Sequence, residues 1–196
     1  RVASVTSAAQ YFHLLRRQAL VLDSDPRPLV IMTPKSLLRH PRAGSALADL
    51  AEGRFHRVID DPTGQERADE ITRLVLCSGK VYIDLIGAPD GAATPGVAIA
   101  RVEELYSFPA DELRELIGGY PHLREIVWLQ EEPRNMGAWN YVEPRLRELL
   151  EGSLPINYVG RPESASPAEG SLAQHTVEQA RIIGEALHGN VEAVVR

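Results

Sequence analysis

"VWLQEEPRNMGAWNYVEPRL", residues 127–146, is the stretch on which the reading of the fold turns. With the preceding Glu125 and Ile126 it opens as a continuous apolar strand, passes two adjacent carboxylates, Glu131 and Glu132, turns at Pro133-Arg134-Asn135, and resumes as a helix from Gly137. A strand without polar alternation is one that expects cover on both faces. The same grammar repeats on either side. "ITRLVLCS", "GVAIARV" and "INYVG" read as strands, and "GKVYIDLIGA", "ADELRELIGGY", "GAWNYVEPRLRELL" and "SLAQHTVEQARIIGEAL" as helices between and after them. Buried strands interleaved with amphipathic helices imply an α/β fold, a three-layer α/β/α domain with a mostly parallel sheet. Loops at the carboxyl ends of such strands are where ligands and partners are met.

Upstream the pattern is looser. Residues 7–22 read as a helix, with Tyr11, Leu14, Leu15 and Ala19 at helical spacing and Thr6 or Ser7 as its cap. "RPLVIMTP" reads as a buried strand, "KSLLRHP" as a short basic helical turn or loop, and "SALADLAEG" as a short helix ended by Gly53. The polar, turn-rich residues 55–70 are where a domain boundary is expected. Because the chain starts at Arg1 and runs at once into a helix and a strand with no sheet of its own, the sequence reads as the continuation of a longer one.

Composition bounds the function. Of the 196 residues 44% are hydrophobic and 24% charged, as in a soluble globular protein. A formal charge of -6 with dispersed arginines speaks against nucleic acid as a partner. No apolar run has the roughly 20 residues of a membrane span, so no membrane role is expected. The lone Cys77 lies in an apolar run, a core residue of a reducing, cytoplasmic protein.

The candidate chemistry is thin. Glu131 and Glu132 lie where the positive end of the following helix would hold them as anions and lower their pKa, the opposite of what a general acid needs, so a structural or interface role is expected. Asn135 would cap that helix, and Trp139 would pack inward on the sheet. Ser78-Gly79-Lys80 lacks the spaced glycines of a phosphate loop, and Ser78 reads instead as a helix cap. The glycines of residues 87–96 follow a helix and precede a strand, the reverse of a dinucleotide fingerprint. Six histidines show no metal-ligand spacing. Arg17, Lys35, Arg39, Arg54 and Lys80 are bases that could hold an anion or face a partner, with Glu131 and Glu132 as acidic counterparts. The run Lys35, Arg39, His40, Arg42 could equally be a solvated or ion-paired surface. Residues 158–175 are rigid, small and exposed in composition, as in a strap laid along a neighbour.

Several stretches together resemble a known family: "SAAQYFHLLRRQAL", "RPLVIMTPKSLLRHP", "LAEGRFHRVIDD", "LVLCSGKVYIDL", "VAIARVEELYSFP", "WLQEEPRNMGAWNYVEPRL" and "YVGRPESASPAEGSLAQH". In this order they are similar to the C-terminal end of the thiamine-dependent first component of the 2-oxoglutarate dehydrogenase complex. The resemblance implies a transketolase-like arrangement, with residues 1–60 the tail of a pyrimidine-binding domain and residues 61–196 a C-terminal domain. It implies a homodimer that binds thiamine diphosphate and magnesium, decarboxylates the small-molecule 2-oxo acid, and passes a succinyl group to the dihydrolipoyl succinyltransferase component. The family's cofactor and catalytic residues lie before the part that matches Arg1, so this stretch is expected to carry no catalytic, cofactor-binding or metal residue and to bind no cofactor itself. Some relatives hold acetyl-coenzyme A near basic residues that follow the match to Ser107-Phe108-Pro109; here Ala110-Asp111-Glu112 stand instead, which leaves that regulation without its bases. The competing reading is a stand-alone α/β module that binds a nucleotide or a partner protein.

Overall fold

Strand β4, Arg73–Cys77, has no polar face. Leu74 and Leu76 point to one side and Val75 and Cys77 to the other, and each pair enters a different core, as the two-residue period of a strand requires. In the computed structural model, which describes residues 1–89, 91 and 94–189, β4 is the centre of a five-stranded sheet. It lies parallel to β5 (Val97–Val102) on one side and to β7 (Glu125–Pro133) on the other. β8 (Ile156–Arg161) extends the sheet parallel to β7, and the short β3 (Val58–Ile59) closes the far edge antiparallel to β5.

Four helices cover the sheet. α3 (Lys80–Gly87) and α6 (Leu172–His188) press Val81, Leu85, Ile182 and Ala186 onto the face of Val75 and Cys77. α4 (Ala110–Gly118) and α5 (Trp139–Leu150) press Leu113, Leu116, Val142 and Leu146 onto the face of Leu74, Leu76 and Trp128. This is the three-layer α/β/α arrangement that the apolar strands call for. Cys77 is buried, and burial pushes its thiol up to about 12, so it is an inert core residue at neutral pH.

The N-terminal residues form a second, three-stranded sheet. β1 (Val2–Ala3) lies between β2 (Val30–Ile31), to which it is parallel, and β6 (Glu104–Tyr106), to which it is antiparallel. The expectation that the strand in "RPLVIMTP" has no sheet of its own is therefore corrected: its Val30 and Ile31 pair with β1, which pairs in turn with β6. α1 (Ala8–Leu20) starts at Ser7, whose hydroxyl accepts from the Gln10 amide. The expected buried strand in "RPLVIMTP" is also corrected. Only Val30 and Ile31 pair, and Val30 is 51% exposed. Pro28 and Pro34 bracket the segment and remove ladder donors, which confines β2 to an edge. Residues 35–39 are a 3-10 turn, and α2 is the short helix Leu47–Ala51. Among the described residues no helix is long and apolar enough to cross a membrane.

Trp139 packs inward, 8% exposed, against the Tyr158 ring at 5.1 Å between centroids. Trp139→Ala is expected to cost about 3 kcal/mol, the range for truncating a large buried aromatic; denaturant melts monitored by circular dichroism check it, and a loss below about 1 kcal/mol would show that the indole contributes little to the core.

Candidate functional site at the carboxyl edge of the sheet

The chain leaves β4 toward α3 on one face and leaves neighbouring β7 toward α5 on the other. Strands whose connections part in this way open a crevice at their carboxyl ends, the usual place for a site in such sheets. A cavity of about 550 Å³ lies there, walled by Ser4, Met32, Ser78, Leu105, Tyr106, Gln130, Glu132 and Tyr141 among others. A more open groove of about 670 Å³ runs between α3 and α6, but Lys80 and Asp84, both on its wall, are already paired with each other.

The junction from β7 to α5 is organised by one side chain. Gln130, buried, accepts through Oε1 from the indole N–H of Trp128 (3.1 Å) and from the backbone amides of Ala138 (3.2 Å) and Trp139 (2.9 Å). Its amide N–H groups are shared among the carbonyls of Glu132 (3.2 Å), Pro133 (3.1 Å) and Met136 (2.8 Å). Gly137 is required beside it: its φ is +65°, and a Cβ there would stand 2.9 Å from Gln130 Nε2. Gln130 thus supplies the helix cap from the preceding strand. The expected cap, Asn135, does something else, exchanging hydrogen bonds with the backbone of Ser164 (3.0 and 3.1 Å) in the loop after β8. Ser78 is not a cap either. Its hydroxyl donates to the Val102 carbonyl (2.7 Å), while Gly79, at φ +69°, occupies the cap position of α3 against Ser4.

β7 runs on to Pro133, past the expected end at Gln130, and its register with β8 shifts between Leu129 and Pro133. In this irregular stretch the Glu131 carbonyl is taken by the buried Arg161 guanidinium (2.8 Å). The two carboxylates then part. Glu131 turns to the α3 side, 3.5 Å from Lys80, which Asp84 also pairs. Burial alone would lower the Lys80 pKa, but these two carboxylates raise it on balance. Glu132, still partly open to solvent, borders the cavity, and among the described residues no ion pair holds it. Burial pushes its carboxyl above the ordinary value, against the pull of its backbone hydrogen bond and of Arg161 and with the help of the Glu131 charge. The expected lowering by the helix dipole is corrected for Glu132: α5 begins only at Trp139, and its first amides are already spent on Gln130.

The remaining sequence candidates lie apart from this edge. Arg17 pairs with Glu104 and sits 4.4 Å from the Phe55 ring centroid. Lys35 and Arg39 are exposed on their 3-10 turn, and Arg39 borders a separate cavity of about 390 Å³. Arg54 is exposed beside a polar cavity of about 400 Å³ that His13 and His56 also line. Only Lys80, Glu131 and Glu132 meet at the sheet edge. Gln130 and Arg161, which shape it, drew no attention in the sequence; a glutamine at a strand end seven residues before a glycine was the signal available. Among the described residues no group of three or more His, Cys, Asp or Glu side chains could hold a metal ion.

Comparison with known proteins is consistent along the chain. The family described as 2-oxoglutarate dehydrogenase C-terminal matches residues 44–187. A 2-oxoglutarate dehydrogenase E1 component from an Exiguobacterium species is 50% identical over 193 residues, covering 97% of this chain and 20% of that protein. The E1 component of Bacillus subtilis is 49% identical over 191 residues, covering 95% of this chain and again 20% of the relative. The chain therefore spans about a fifth of the length of the curated relatives it matches. Among solved structures, a split gene transketolase, described as an inactive beta4 tetramer, superposes with a TM-score of 0.61 at 16% identity, over 95% of this chain and 56% of that one, a likeness of fold.

Two outcomes test the edge. Gln130→Leu leaves three N–H donors without their acceptor, two of them buried, and is expected to cost about 3 kcal/mol, with the loss seen in urea melts. Glu132→Gln has the opposite sign at neutral pH. A carboxyl whose folded pKa lies above its unfolded value contributes stability at low pH that is lost as pH rises from the unfolded toward the folded value. The variant is thus expected to melt higher than the parent at pH 7, with the gap closing below about pH 4, the ordinary carboxyl range. A gap independent of pH would show that the raised pKa is not the cause.

Proposed function

The chain belongs to the 2-oxoglutarate dehydrogenase C-terminal family, and from that premise we propose that it is the C-terminal portion of the first component of a 2-oxoglutarate dehydrogenase. The observation that carries this reading is identity near 50% along almost the whole chain to proteins named as that component. The longer protein, on this reading, is a cytoplasmic homodimer that binds thiamine diphosphate and magnesium, decarboxylates 2-oxoglutarate, and hands the succinyl group to the lipoyl arm of the succinyltransferase component. Residues 1–60 are the end of its pyrimidine-binding domain and residues 61–196 its C-terminal domain. The part described here supports and joins; it supplies no reacting group. Arg17, Lys35, Arg39, Arg54 and Lys80 serve contacts to a partner or an anion in that assembly, with Glu131 and Glu132 as their acidic counterparts toward a partner.

On this reading the groups that hold the cofactor belong to the part of the longer protein that precedes the match to Arg1. Magnesium on a diphosphate is held by one or two carboxylates together with the phosphate oxygens and water, and on this reading those carboxylates are supplied by the rest of the longer protein. Lys80, the base nearest the sheet's carboxyl edge, is held between Asp84 and Glu131. No chemical step is therefore assigned to these residues. Bringing reactants into place accounts for about 7–11 kcal/mol of a barrier in favourable cases; on this reading the groups that do so belong to the rest of the longer protein.

The expected result is that the 196-residue chain neither binds thiamine diphosphate with magnesium in calorimetry nor reduces a dye with 2-oxoglutarate, and that the full-length protein does both. Specific cofactor binding by the isolated chain would overturn the division of labour, and a full-length protein inactive on 2-oxoglutarate would overturn the substrate.

A further inference from the structure

The cavity at the carboxyl edge holds an arrangement that the proposed role leaves unused. Glu132 is the charged residue on its wall, and among the described residues no ion pair reaches it. Arg134, two residues on, does not turn back to it but lies over the rings of Trp139 and Tyr158, 5.9 and 5.4 Å from their centroids. Aromatic and apolar groups line the same cavity: Tyr106 and Tyr141, with centroids 6.2 Å apart and planes tilted by 58°, together with Met32 and Leu105. The Tyr141 ring already attracts one cation, the Arg145 guanidinium at 3.7 Å. Met32 and Tyr106 are about half exposed where they line this opening.

We propose that this cavity binds an organic cation carried on a hydrocarbon stem, with the charged head against Glu132 and the stem between Tyr106, Tyr141 and Met32. The site stands on its own geometry and goes beyond the family role. Three observations select the ligand class. An anion would meet an unpaired carboxylate and no free base. A purely apolar ligand would strip water from that carboxylate and give nothing back. A cation satisfies the carboxylate and the faces of the rings together, the combination by which aromatic cages hold alkylammonium groups. The volume of about 550 Å³ lies within the range of small-ligand sites and exceeds what a bare inorganic ion needs. The same chemistry has two sources, a free amine or the side chain of a lysine on a protein segment.

The test uses the intact protein and four probes: 2-phenylethylamine, the isosteric neutral 2-phenylethanol, the anionic 3-phenylpropionate, and N-acetyl-lysine amide. Binding is read by calorimetry and ligand-observed NMR. The amine is expected to bind about tenfold more tightly than the alcohol, the factor that a cation–π contact and a charge contact supply together, and the anion not at all. Glu132→Gln should remove that tenfold preference and leave the alcohol unchanged. Tyr106→Leu, which keeps the wall apolar, should weaken the amine more than the alcohol. Tighter binding of the lysine amide assigns the source to a protein segment, and tighter binding of phenylethylamine assigns it to a free amine; either keeps the site. Equal affinity for amine and alcohol, amine binding unaffected by Glu132→Gln, or no binding by any probe overturns the proposal. None of these readouts depends on 2-oxoglutarate turnover, so its failure is separable from failure of the family role.

Discussion

The side chain of Gln130 ends β7 and begins α5 at the same point, and the carboxyl edge of the sheet depends on it. An amide can do this because it presents acceptor and donors at once. The acceptor closes the first turn of α5 and holds the Trp128 indole, while the donors gather three carbonyls of the loop between. A glutamate in its place would accept but not donate, and would set its charge against those carbonyls. A leucine would do neither. Since α5 has no side-chain cap of its own, the orphan amides of its first turn are satisfied by a residue from the strand, and the crossing angle of strand and helix is thereby fixed.

What the amide fixes, Arg161 carries across to the next strand. The register of β7 and β8 breaks after Leu129, as at bulges beside functional edges, and the broken ladder would leave the Glu131 carbonyl buried and unpaired. Arg161 fills it, and its other nitrogens reach His175 (2.9 Å) and Gln179 (3.2 Å) on α6, with Glu169 at 3.4 Å from the loop before that helix. A buried guanidinium is tolerable when its charge is paired and its terminal donors are met in this way, and here Nε faces Glu169 as an ion pair without a hydrogen bond. The consequence is that two consecutive glutamates are held on opposite sides of the sheet, one neutralised by Lys80 and one left facing a cavity. Adjacent carboxylates in sequence thus have different partners in space, although the Glu131 charge still pushes the Glu132 carboxyl upward.

The layer order was legible because it rests on local periodicity. Leu74, Val75, Leu76 and Cys77 have no polar side to offer solvent, so helices on both faces followed, and Trp139 was placed inward for the same reason. Where the sequence misled, the competing partner was distant along the chain. Ser78 and Asn135 have the chemistry of caps, yet each finds a backbone partner more than 20 residues away, Val102 and Ser164, that no local rule could name. The pKa of Glu132 failed likewise: the dipole argument assumed a helix starting beside the pair, and the loop that delays it exists because Gln130 reaches forward to Ala138. "RPLVIMTP" is apolar enough for a core strand, but apolarity fixes neither the neighbours nor the effect of two prolines on a ladder.

The N-terminal sheet shows how little strand pairing is needed when a buried polar group supplies the rest. β1 and β2 contribute two residues each, too few to hold a sheet on their own. Glu103, fully buried between β5 and β6, accepts from both the backbone amide and the hydroxyl of Thr6, and Arg101 donates to that same hydroxyl (2.8 Å). Burial pushes the Glu103 carboxyl upward, opposed by Arg101 and by the Thr6 hydrogen bonds. Around this contact Arg17 and Arg57 both pair with Glu104, and Arg57 reaches on to Glu112 of α4. A polar clasp of this kind is directional where apolar packing is not: Thr6 has one position in which its amide and hydroxyl both meet Glu103. That single position sets the register of β1 on β6, and with it the place of Ser4 and Val2 on the wall of the cavity that Glu132 faces.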